Sequence, residues 1–88
     1  MRYFLKPGQI QEPLIIDIPD DFNVMANGVC FLEKKISKII AYKYDQYNFF
    51  LDMYCDTDKY ASIACNKPYE VVLDSEINGV FIRENDEV

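Results

Sequence analysis

Hydrophobic and polar positions alternate most regularly between Ile36 and Cys55, and the rest of the chain is read outward from there. From Tyr47 onward, Tyr47, Phe49, Leu51, Met53 and Cys55 form one row, and Asn48, Phe50, Asp52, Tyr54 and Asp56 the other. Upstream, Ile36, Lys38, Ile40, Tyr42 and Tyr44 alternate with Ser37, Ile39, Ala41 and Lys43. A period of two is that of a half-buried strand. The pattern predicts a long antiparallel hairpin turning near Asp45-Gln46. A helical reading competes, because Leu32, Ile36, Ile39, Ile40, Tyr47, Phe50, Leu51 and Tyr54 also recur at three-to-four spacing. Composition decides for strand: β-branched and aromatic residues dominate, and Ala and Leu are scarce.

Taken in order, Arg2–Leu5 is a short apolar run stopped by Lys6-Pro7-Gly8. Leu14–Ile18 lies between Pro13 and Pro19 and reads as a strand near an edge. Pro19-Asp20-Asp21 makes a turn. Asn27-Gly28 and Asn78-Gly79 each separate two apolar runs, and Asn-Gly suits the paired positive φ values of a type I′ hairpin turn. In the second hairpin this register sets Ile77 opposite Val80 and Asp74 opposite Arg83 as a cross-strand ion pair. The stretch 57–65 changes character: Asp56 or Thr57 can cap, Tyr60, Ile63 and Ala64 share a helical face, and Asn66-Lys67-Pro68 closes it. It is expected to be the one short helix. The acidic end, 84–88, is expected to fray.

The predicted fold class is therefore α+β within a single domain spanning 1–88. It is mainly an antiparallel sheet built as a hairpin meander, with one short helix near 57–65. A half-open barrel is the rival arrangement. Eighty-eight residues suffice for one core and no second domain.

Composition changes the picture in two ways. First, it removes chemistries. The absence of any His excludes Ser-His-Asp and Cys-His catalysis and His-ligated zinc. Gly8, Gly28 and Gly79 stand singly, so there is no phosphate-cradling loop. Cys30, Cys55 and Cys65 have no knuckle spacing and read as small core residues. Asp52, Asp56 and Asp58 fail the EF-hand pattern, which would need an acid or amide at Tyr60 and a Gly at Ala61. No catalysis, metal or other cofactor is expected. The amino terminus lacks the apolar run of a secretion signal and no segment has the length of an apolar membrane span, so a reduced, cytoplasmic protein is expected.

Second, composition suggests a partner. Thirteen aromatic residues in so short a chain are more than a small core hides, and six of them fall within 36–55. Net charge is −6, with four lysines and no acid in 34–43 against ten acids and three bases in 44–88. Acidity disfavours direct nucleic-acid or membrane binding and favours a protein with a basic surface. The expected partner-binding residues are Tyr42, Tyr44, Tyr47, Phe50, Asp52, Tyr54, Asp56 and Asp58. The expected function is that of a small acidic inhibitor or adaptor, of the kind phage and mobile elements encode, with self-association as an added expectation. Two other classes stay open. Lys34, Lys35, Lys38 and Lys43 beside Tyr42 and Tyr44 could bind an anion or nucleotide within 34–47, although lysines also guard strand edges. Alternatively, the chain is a structural subunit whose sheet is completed by a neighbour.

Overall fold

A computed structural model describes residues 1–31 and 35–86. The described residues form nine strands and no helix: β1 (Arg2–Leu5), β2 (Leu14–Asp17), β3 (Asn23–Ala26), β4 (Val29–Phe31), β5 (Lys38–Lys43), β6 (Phe49–Cys55), β7 (Asp58–Cys65), β8 (Tyr69–Asp74) and β9 (Gly79–Glu84). They make two sheets, a five-stranded one ordered β1-β8-β9-β3-β4 and a four-stranded one ordered β2-β5-β6-β7. Every described pairing is antiparallel except β3 with β9.

The inner faces of the two sheets share one core. Ile16, Ile39, Ala41, Phe49, Leu51, Met53 and Cys65 enter it from the four-stranded sheet, and Leu5, Val24, Ala26, Tyr69, Val71, Val80 and Ile82 from the five-stranded one. Phe49 meets Tyr69 edge to face across the two layers, with ring centroids 6.4 Å apart. This is a β-sandwich, and no described strand ladder joins the sheets into the half-open barrel considered above. Burial of these side chains is the main favourable contribution, at roughly 1.5–3 kcal/mol for each large one.

The central hairpin forms as its period predicts. Lys38 to Lys43 pair with Tyr54 to Phe49 in continuous register, and Asn48 carbonyl oxygen accepts from the Tyr44 and Asp45 amides to close the loop between. The Asp45 carboxylate shapes that loop, accepting from Tyr47 N at 2.8 Å and Asn48 Nδ2 at 3.0 Å. Those bonds hold its pKa below the ordinary value. Gly8 packs beneath the same loop with φ +81°, where a Cβ would stand 2.9 Å from Gln46 O. Leu14–Asp17 is an edge strand, as its flanking prolines imply.

Three expectations are corrected. The segment 57–65 is not a helix: strand β7 occupies Asp58–Cys65. Its three-to-four spacing coincides with a period of two that places Ala61, Ile63 and Cys65 opposite Met53, Leu51 and Phe49. That inner row buries against the core, and packing overrides the local capping signal. Asp56 turns the chain with φ 58° instead of capping.

The two Asn-Gly pairs also diverge. Asn27 and Gly28 have φ 50° and 81° and close a two-residue turn between Ala26 and Val29, as expected. The second hairpin pairs Asp74 with Gly79 and Leu73 with Val80, leaving the four-residue loop 75–78. The Asp74 carboxylate accepts from Glu76 N at 3.0 Å and so starts the turn early. Asn78 alone takes a positive φ, and Arg83 faces Glu70 rather than Asp74.

The third correction concerns the cysteines. Cys65 is a core residue whose thiol donates to Ile63 O, and burial pushes its pKa up to about 12. Cys30 is exposed on the edge strand β4, and Cys55 is only half-buried because it is the last residue of β6, beside the exposed β6–β7 turn.

Candidate functional site

The outward face of the four-stranded sheet carries the side chains that the core does not take. Cross-strand register sets three rows on it. Ile15, Ile40, Asp52 and Ser62 form one, Asp17, Lys38, Tyr54 and Lys59 the second, and Tyr42, Phe50 and Ala64 the third. Aromatic rings cover much of this surface. Tyr42 stacks on Phe50 at 5.6 Å, Tyr44 meets Phe50 edge to face at 5.4 Å, and Lys38 Nζ lies 5.1 Å above the Tyr54 ring.

Within this face Asp52 is only 3% exposed although it points away from the core. An outward carboxylate becomes buried only when neighbours stand over it, here its row mates and the flanking rings of β6. A buried carboxylate is costly unless it is hydrogen-bonded. Ser62 Oγ donates to Asp52 Oδ1 at 2.6 Å, and Lys59 Nζ approaches Oδ2 at 3.7 Å. The Tyr42 hydroxyl is raised in pKa, first by burial and then by the charge of Asp52 nearby. The result is a hydrogen-bonded, ion-paired carboxylate with an amphipathic aromatic layer around it.

The expected partner-binding residues divide accordingly. Tyr42, Tyr44, Phe50, Asp52 and Tyr54 come together on this face. Tyr47 is in the β5–β6 loop and 68% exposed. Asp56 lies in the β6–β7 turn and Asp58 opens β7, beside the Tyr54 end of this face and about 20 Å, one strand length, from the loop that holds Tyr47. Ser37 Oγ accepts from Asp56 N at 3.1 Å and fixes that turn to β5.

The lysines expected as an anion site do not converge. Lys38 and Lys43 fall on opposite rows of β5, Lys38 is engaged with Tyr54, and Lys35 precedes the strand on its own. Lys34 lies outside the described residues. Sequence reasoning missed Lys59 and Ser62, two partners of Asp52. Read as a two-residue turn, Asp56-Thr57 would have set Lys59 opposite Tyr54, but Ser62 comes opposite Asp52 only through the register shift between Tyr54 and Met53; the helical reading concealed the strand altogether.

A second buried carboxylate, Glu70, lies on the outward face of the other sheet. It is paired with Arg83 Nε and with Arg2 Nε at 3.6 Å. The Arg83 hydrogen bond, assisted by the charge of both arginines, holds its pKa below the ordinary 4.5. No family model matches the chain, and comparison with curated proteins and with solved structures likewise finds no match. Among the described residues, no helix is long and apolar enough to cross a membrane.

Proposed function

We propose that the chain is a non-catalytic binding protein whose outward β2-β5-β6-β7 face docks a protein presenting arginine and lysine. Acting by occupancy, it serves as an inhibitor or adaptor. The observation that carries this reading is the aromatic layer of Tyr42, Tyr44, Phe50 and Tyr54, raised on a sheet face and bordered by carboxylates. Aromatic residues are the side chains that anchor protein interfaces, and a polar rim around them is the usual anatomy. The rim here is acidic: Asp17, Asp45, Asp56 and Asp58 are all exposed. Guanidinium groups stack on such rings, while the rim charges steer their approach. Net charge of −6 acts in the same sense at longer range.

The divergence of Lys38 and Lys43 weighs against the nucleotide reading, since an anion site needs donors aimed at one point. The test is capture of a partner on the immobilised chain at low and high salt. A stoichiometric protein, released as salt rises and lost with Tyr44→Ala, supports the reading. Capture that ignores salt and survives Tyr44→Ala and Tyr54→Ala overturns it.

A further inference from the structure

The edges of the two sheets are unequally protected. Strand β2 is four residues long between Pro13 and Pro19, and β1 is four residues long and carries Arg2; β4 has three described residues. Short strands, prolines and charges are the usual guards against edge-to-edge pairing. Strand β7 has eight residues, the longest of the described strands, and β6 is its one described neighbour. It contains no proline, and from Tyr60 to Cys65 it contains no charge. Lys59, the one base on the strand, is engaged with Asp52 of its own chain. An edge of this kind presents backbone donors and acceptors along its length.

The charges that flank β7 say what pairs with it. Asp56 and Asp58 stand at its start, and Lys67 follows its end. An antiparallel copy of the same strand therefore brings the acidic end of one chain against the basic end of the other. Pairing about Ser62 sets Asp58 opposite Asn66 and Thr57 opposite Lys67, with no like charges face to face. The same two-fold axis keeps both aromatic faces on one side of an eight-stranded sheet.

We infer that the chain self-associates through β7, edge to edge and antiparallel, as a homodimer. This inference is independent of the proposed function, since it uses the sheet edge and not its face. The interface is small, so dissociation is expected in the micromolar range.

Sedimentation of the full chain from micromolar to near-millimolar concentration tests it, together with amide hydrogen exchange at both extremes. The expected result is a mass rising from 10.3 kDa towards twice that value, with slower exchange of those amides within 60–64 that point away from β6 in the concentrated sample. Ala64→Lys, an exposed position on the edge, is expected to weaken the dimer ~10-fold or more. A constant monomer mass overturns the inference. So does a dimer that Ala64→Lys leaves unchanged and whose β7 amides exchange at a concentration-independent rate.

Discussion

Asp52 and Glu70 are the two buried charged side chains among the described residues, each on the outward face of its own sheet. They are satisfied in different ways. Glu70 is clamped by two arginines that are themselves more than half exposed. Its network neutralises the face and leaves Phe4 as its exposed aromatic neighbour. Asp52 has a serine and a lysine, and its neighbours on the same face of β5 and β6 are Ile40, Phe50 and Tyr54. The first arrangement is a staple between strands β1, β8 and β9. The second is a polar floor under an aromatic surface. One buried carboxylate therefore serves stability and the other shapes a surface, a distinction that depends on what stands around the charge.

The comparison can be broken at several points. The largest effect is expected from Phe49→Ala, which removes the ring that joins the inner layers beneath both faces. A loss of about 3–5 kcal/mol is expected, read by denaturant unfolding. Both faces should then lose order together. If only one sheet melts, the shared core is wrong.

Next comes Asp52→Ala, with an expected loss of about 1–3 kcal/mol. Its hydroxyl and ammonium partners can rehydrate, because Lys59 is half exposed. Asp52→Asn should recover part of that loss by keeping the Ser62 bond, and a double-mutant cycle with Ser62→Ala isolates the pair. A coupling energy of zero would contradict the contact.

The Glu70 clamp is tested by acid. The folded pKa of Glu70 lies below 4.5, the ordinary value. Its contribution is therefore complete above the unfolded pKa and is lost as pH falls through the folded one. The melting-temperature difference between the wild type and Glu70→Gln should be full near neutrality and vanish in strong acid. A difference that grows as pH falls would reverse the assignment.

How much of this was legible follows from the range of each signal. The rows on β5 and β6 were readable because alternation is local, and Asp52 was placed among Phe50 and Tyr54 on that basis. Strand β7 was not, because Tyr60, Ile63 and Ala64 fit a helical face while Ala61, Ile63 and Cys65 fit a strand row, and only the opposing Met53, Leu51 and Phe49 decide between them. The register also shifts opposite Met53 and Tyr54, a bulge that has no sequence mark here. The Glu70 clamp was hidden for a related reason. Arg83 was assigned to Asp74 because Asn78-Gly79 suggested a two-residue turn, and one carboxylate bonded to Glu76 N displaced the register. Local chemistry of this kind reaches long-range pairing only through the turn.

The smallest stability effect is expected from Tyr44→Ala. Tyr44 is 68% exposed and contributes an edge contact to Phe50. Its removal should leave unfolding free energy within about 0.5 kcal/mol of the wild type, measured by the same denaturant titration. A large loss would make the ring structural and take it out of the proposed binding surface.

The most direct test of the central claim compares the two outward faces in one binding experiment. Tyr44→Ala/Tyr54→Ala alters the face around Asp52, and Phe4→Ala/Arg2→Ala alters the face around Glu70. Both are titrated against the captured partner at low and high salt. The first pair should abolish salt-sensitive binding and the second should leave it unchanged. Equal losses, or loss with the second pair alone, would contradict it.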